Sequence, residues 1–224
     1  MKLIEQIFRF IAPDECILCG IEGSLICKEC ASVAYASPPP RCYRCYRESR
    51  AYMTCSNCRR HTMLRSVFVC SLYSTNAREV IHRLKFGYTK SASEHIARKM
   101  AEILPELPSD TIIIHIPTAS SHVRERGFDQ SALIARDLAY LIHAPHIHTL
   151  ARLGQQRQVG SNRMLRMTQM KDAFRIVSKE FIGSHVLLVD DVLTTGSTLE
   201  SAALVLKRSG AKSVSAVVFA QAKG

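Results

Sequence analysis

Apolar residues gather in four short runs, at 68–73, 111–117, 186–189 and 214–219, and between them the spacing turns helical. A short, nearly unbroken apolar run is the mark of a strand buried on both faces. Residues 77–86 read as a helix stopped by Gly87, and 93–104 as a second, closed by Pro105 and Pro108. Residues 130–142 set Ile134, Leu138, Leu141 and Ile142 on one helical face, with Asp129 as candidate N-cap. Leu199, Ala202, Ala203 and Leu206 recur at helical spacing before Gly210. Strands alternating with helices predict an α/β fold, an open, mostly parallel sheet with flanking helices, which binds ligands at the carboxyl ends of its strands. At the N-terminus, Leu3, Ile4, Ile7, Phe8 and Ile11 form a helical stripe, expected to pack on the body of the protein.

Residues 16–58 follow a different grammar. Eight of the nine cysteines form four C-x-x-C pairs: Cys16/Cys19, Cys27/Cys30, Cys42/Cys45 and Cys55/Cys58. Each pair can present two thiolates to one metal, and two pairs complete a tetrahedral Cys₄ zinc site. No secretory pattern precedes them and no apolar run approaches a membrane span, so a cytoplasmic, reducing compartment and metal rather than disulfides are expected. Pairing neighbours gives one ribbon over 16–30 and another over 42–58, with two Zn²⁺ in all. A cross-braced arrangement, first pair with third and second with fourth, stays open. Ser37 and three prolines, 38–40, form a stiff spacer. Cys70 lies inside an apolar run and reads as a buried strand residue. The expected division is a helix and double zinc-ribbon module over 1–64, then an α/β domain over 65–224.

The densest chemistry sits at the end of the third apolar run. Val186–Val189 lead into Asp190 and Asp191, then Thr194, Thr195, Gly196, Ser197 and Thr198, and then the helical pattern. A polar run between a strand's carboxyl end and a helix N-terminus suits phosphate: backbone N–H groups there lack helical partners, and the helix dipole favours negative charge. Gly196 permits close backbone approach, the hydroxyls add donors, and the acids suit sugar hydroxyls or Mg²⁺. This run resembles the ribose-5-phosphate signature of the type I phosphoribosyltransferases, which bind phosphoribosyl pyrophosphate (PRPP). In that family the paired acids hold the ribose hydroxyls and the hydroxyl/glycine loop cradles the 5′-phosphate.

Composition shifts the picture in one respect. Of 224 residues 47% are hydrophobic, enough for a sizeable core, but the formal charge is +11 and stays positive with eight thiolates and two Zn²⁺ counted. Arg41, Arg44, Arg47, Arg50, Arg59, Arg60 and Arg65 crowd the second ribbon, interleaved with Tyr43, Tyr46 and Tyr52. Guanidinium groups match phosphates and tyrosines offer faces to bases, so Arg44, Arg47, Arg59, Arg60, Tyr43 and Tyr46 are candidates for contacting single-stranded DNA. The competing reading is a solvated basic surface whose tyrosines pack against a small ribbon. Arg124 and Arg126, after the second apolar run, are candidates for a pyrophosphate, as is the Arg-rich segment 155–166.

The cysteine pairs, the Leu84-Lys85-Phe86 turn, the stretch from Arg124 through Arg126, Gly127, Phe128 and Asp129 to Gln130, the Lys171–Phe174 stretch and the PRPP signature, in this order, resemble the competence protein F (ComF) family. Asp129 stands where that family usually has Asn, and Gln169 and Asp172 replace its usual Asn and Gly. The resemblance covers nearly the whole chain. It implies a double zinc ribbon fused to a phosphoribosyltransferase-like domain, acting in the cytoplasm in natural transformation beside a competence helicase. PRPP, carried with Mg²⁺, is the expected ligand. The alternative is an active phosphoribosyltransferase of nucleotide metabolism with purely structural ribbons. No segment identifies an acceptor base, and residue 1 is Met rather than the cysteine nucleophile of the usual glutaminase, so PRPP binding is better supported than any named reaction.

Overall fold

The computed structural model describes residues 15–35, 37–86, 90–153 and 173–222. The N-terminal stripe, the segment 155–166 and the Lys171-Asp172 pair lie outside them. In chain order the elements are α1 (Lys28–Ala34), a 3₁₀ turn (Arg50–Tyr52), α2 (Ser56–Arg59), β1 (Leu64–Leu72), α3 (Thr75–Phe86), α4 (Lys90–Ile103), β2 (Thr111–His115), α5 (Ser120–Arg126), α6 (Gln130–Leu141), β3 (Leu150–Arg152), β4 (Phe174–Ile176), β5 (His185–Leu193), α7 (Ser197–Arg208) and β6 (Ser213–Gln221). No described helix is long and apolar enough to cross a membrane.

β1, β6, β5 and β2 form a four-stranded sheet in that order, and every pairing is parallel. The expected α/β architecture is therefore present, and all four strands run to the same carboxyl edge. Both faces are covered, which is why the strands read as apolar runs rather than as alternation. Phe68, Ile113, Leu187, Val189, Val217 and Phe219 pack under α3, α4 and α6, which contribute Leu84, Ile96, Met100, Ile134 and Leu138. On the other face Val69, Ile114, Val186, Leu188, Ala216 and Val218 meet Leu199, Ala203 and Leu206 of α7, with Leu150, Phe174 and Phe181.

Three features departed from the sequence pattern. β1 begins at Leu64, ahead of the apolar run, because it pairs with β6 through an irregularity between Leu64 and Val67. β3 and β4 form an antiparallel pair of three residues each, too short to show a period. α5 buries no residue and so carries no apolar stripe.

The cysteine module wraps the outer strand. Leu25 and Ile26 join one core and Tyr43 joins the other, so the first ribbon lies against one face and the second against the opposite face. Between them the chain covers the β1 edge. Ser37 Oγ donates to the Cys70 carbonyl, Thr54 N–H to Arg65 O, and Thr54 Oγ1 to Leu64 O. An uncovered edge would present unpaired backbone groups to other chains.

Leu188 lies at the centre of this arrangement and is fully buried. Leu188→Ala is expected to cost about 2–5 kcal/mol through lost burial and a residual cavity. Urea unfolding of the zinc-loaded protein measures it as a lower midpoint with an unchanged slope.

Candidate functional site

Each cysteine centre is assembled from neighbouring pairs. Cys16, Cys19, Cys27 and Cys30 form one cluster, and Cys42, Cys45, Cys55 and Cys58 the other; within each, the sulfur atoms lie within 4.8 Å of one another. This resolves the pairing left open by the spacing. The dimensions fit zinc. Tetrahedral metal–sulfur bonds of about 2.3 Å give sulfur–sulfur edges of about 3.8 Å. Cys19 and Cys27 Sγ are 3.8 Å apart, and Cys45 and Cys55 Sγ 3.6 Å. Backbone amides also point at sulfur: Cys27 N–H donates to Cys16 Sγ and Cys30 N–H to Cys27 Sγ. Burial opposes ionisation of Cys16, but amides led by that of Cys27 outweigh it and bring its pKa to about 6. The neighbouring thiols Cys19 and Cys27, with burial, push Cys30 up to about 12. One thiolate thus forms readily, and a divalent cation would supply the charge needed to ionise the others.

At the carboxyl edge of the sheet, β5 continues through both acids to Leu193, with Asp190 paired to Val218. The strand therefore carries the carboxylates itself, two residues before its end. Asp191 is buried, and Lys85 Nζ, from the last turn of α3, reaches its Oδ2 at 2.6 Å as an ion pair. Asp190 Oδ1 accepts from the Asp191 N–H at 2.9 Å and from Ser131 Oγ at 3.2 Å. Burial raises the Asp190 pKa well above the usual carboxylate range, and the adjacent Asp191 charge adds to this; the Asp191 amide, Ser131 and Lys85 oppose it. The two acids thus differ: Asp191 is neutralised by a cation, whereas Asp190 holds its proton more tightly.

The loop beyond them has the geometry of an anion cradle. Gly196 caps α7 in the left-handed region, at φ 79°, and has no side chain to bond the helix's first amides. The Thr195 hydroxyl lies 3.0 Å from Ser197 Oγ and accepts weakly from Ser197 N–H. Thr194 and Thr195 are exposed, Ser197 and Thr198 half-buried. A Cβ at Gly196 would lie 3.1 Å from Tyr43 Cε2, so close packing and backbone conformation both demand glycine.

The second strand's exit forms the facing wall. The Asp129 carboxylate, a sequence-recognised N-cap, accepts from Ser131 and Ala132 N–H and from the amide and hydroxyl of Thr118. Arg124 and Arg126 occupy the last turn of α5. Arg124 is exposed. Arg126 donates to Gln130 Oε1 at 3.0 Å, and its guanidinium lies 5.1 Å from the centre of the half-exposed Phe86 ring.

The nucleic-acid candidates separate. Tyr43 is only 5% exposed and its ring lies against Gly196, so its expected role as a base-stacking platform is corrected: no open face remains. Arg44 is engaged with Glu200 Oε1 at 2.8 Å and His61 O at 3.1 Å. Arg47, Arg59, Arg60 and Tyr46 remain exposed. The sequence reading gave no role to Glu200 or Ser131, whose partners are 157 and 59 residues away and leave no local pattern. Lys85 was visible only as part of the family resemblance.

Asp190 carries a cost that a neutral amide would avoid. Asp190→Asn is expected to raise the apo protein's thermal midpoint. A raised native pKa means the wild type loses stability as pH climbs above the unfolded carboxylate value near 4. The gain is therefore absent below about pH 4 and grows above it, by about 2–4 °C per kcal/mol relieved. Scanning calorimetry of both proteins across pH 4–8 checks this.

The model of the phosphoribosyl transferase domain matches residues 146–224. The DNA utilization protein YhgH of Salmonella typhi is 34% identical over 143 residues, covering 60% of this chain and 63% of that one. The competence protein ComFC of Bacillus subtilis (strain 168) is 26% identical over 196 residues, covering 83% and 79%. Among solved structures, the allosteric regulatory enzyme of purine biosynthesis aligns with a TM-score of 0.44 at 18% identity, over 58% of this chain and 25% of that one. Two four-cysteine clusters beside a parallel sheet, a phosphoribosyl transferase domain match over residues 146–224, and competence and DNA-utilization proteins as relatives make this chain similar to the competence protein F family.

Proposed function

We propose that this protein is a cytoplasmic competence or DNA-utilization factor that binds PRPP with Mg²⁺ at the carboxyl edge of its sheet and single-stranded DNA on its second ribbon. One observation carries the first half: two acids near the end of β5 lead, within five residues, into a helix whose N-cap is a glycine with no side chain to occupy the first turn's amides. Amides at 195–198 and the surrounding hydroxyls would hold the 5′-phosphate. Asp190 and Asp191 would accept from the ribose hydroxyls or hold Mg²⁺, whose charge would offset that of the pyrophosphate. Arg124 and Arg126, opposite, would face the pyrophosphate. Support for a DNA role comes from the relatives' names and from Arg47, Arg59, Arg60 and Tyr46, which lie exposed on one small module. No acceptor site is assigned, and transfer is not part of this reading.

Calorimetric titration of Mg²⁺–PRPP into the zinc-loaded protein tests the first half. Asp190→Asn with Asp191→Asn should weaken binding at least ~100-fold, because two charge-assisted acceptors at about 1.5–3 kcal/mol each are lost. Unchanged affinity would remove the assignment. For the second half, affinity for single strands should fall with salt at about −0.7 per phosphate contacted on a log–log plot. Replacing Arg47, Arg59 and Arg60 by Ala should flatten that slope by up to ~2 and leave PRPP affinity intact. An unaltered slope would favour ribbons that are structural only.

A further inference from the structure

The second ribbon is bound to the phosphate loop by a small, specific knot. Tyr43 and Arg44 are the two residues between the ligands Cys42 and Cys45. The Tyr43 hydroxyl lies 2.9 Å from Glu200 Oε1 and 2.7 Å from Thr62 Oγ1. A carboxylate can only accept, so the phenol donates its single proton to Glu200 and the Thr62 hydroxyl donates to the phenol oxygen. Thr62 Oγ1 in turn accepts from Leu64 N–H at 3.2 Å, at the start of β1. Arg44 reaches the same Glu200 oxygen at 2.8 Å and ties back to His61 O. Glu200 sits in the first turn of α7, and its amide bonds the Gly196 carbonyl at 2.9 Å. The Tyr43 ring is the back wall of the loop, 3.1 Å from where a Gly196 side chain would begin.

We propose that the second cysteine centre acts through Tyr43, Arg44 and Glu200 to set the conformation of the 194–198 loop, so that metal there and sugar phosphate at the loop strengthen each other's binding. This rests on the reading of the loop as a PRPP site. The reasoning is mechanical. The knuckle holding Tyr43 closes on itself with two backbone bonds, Tyr46 N–H to Cys42 O and Cys42 N–H to Arg47 O. A module this small has little core of its own, and bound metal supplies most of its folding free energy. Metal loss frees Tyr43 and Arg44, and the loop loses its wall and Glu200 its partners. Coupling between two binding equilibria is reciprocal, so ligand at the loop must also retain metal at the ribbon. Tyr43 and Glu200 are positioning residues and touch neither ligand.

The test uses the full, zinc-loaded chain and two readings. The first is Mg²⁺–PRPP affinity of wild type, Tyr43→Phe and Glu200→Gln. The second is the rate at which a chelator strips each of the two zinc ions, with and without saturating Mg²⁺–PRPP. Wild type should show one zinc phase slowed about 5- to 20-fold by the ligand and the other unchanged. Both variants should bind PRPP about 5- to 20-fold more weakly and lose that protection, while keeping both zinc ions. Glu200 is partly exposed, so its variant folds even if Tyr43→Phe does not. Wild-type binding with equal affinity in both variants, or with zinc release indifferent to ligand, would overturn the coupling and leave the PRPP site standing. No binding by wild type would overturn both.

Discussion

β5 is held between parallel neighbours on either side, and the strand residues before its acids are buried against apolar layers above and below. It cannot shift by one residue without turning Leu187 and Leu188 to the wrong faces. That constraint fixes where Asp190 and Asp191 emerge, where the chain must turn, and where α7 begins. Lys85, Ser131 and Asp129 arrive at the same edge because α3, α6 and the exit of β2 are packed on the same core. The site is the rim of a buried layer.

The cysteine module solves two problems of that layer. It covers the β1 edge, through Ser37 and Thr54, and it backs the 194–198 loop, through Tyr43 and Arg44. The contacts of Tyr43 and Arg44 with Glu200 tie the second cysteine cluster to a helix more than 150 residues away along the chain. The side chains of Arg47, Arg59 and Arg60 face solvent.

Much of this was legible because it is local. Continuous apolar runs gave the four strands, C-x-x-C spacing gave the ligands, and the acid–hydroxyl–glycine run gave the loop. The parts that escaped are those whose cause lies elsewhere in the chain. α5 buries no residue fully, so no apolar periodicity marks it, and three-residue strands such as β3 and β4 have no period to read. Tyr43 looked like one of several interleaved aromatics beside arginines. Its burial depends on Gly196 and Glu200, which no spacing around residue 43 reveals. Sequence likewise could not separate the two acids, since their difference comes from the burial of Asp190 and from the pairing of Lys85 with Asp191.

The central claim is that the carboxyl edge of β5 is a sugar-phosphate site. It is met most directly by mapping backbone amide resonances of the zinc-loaded, isotopically labelled chain during titration with Mg²⁺–PRPP. The account predicts saturable shifts at 195–198, where amides would donate to the phosphate, joined by Asp191 and Ser131 and absent from the first ribbon. Shifts confined to the arginine face of the second ribbon, or no saturable shift anywhere, would contradict it.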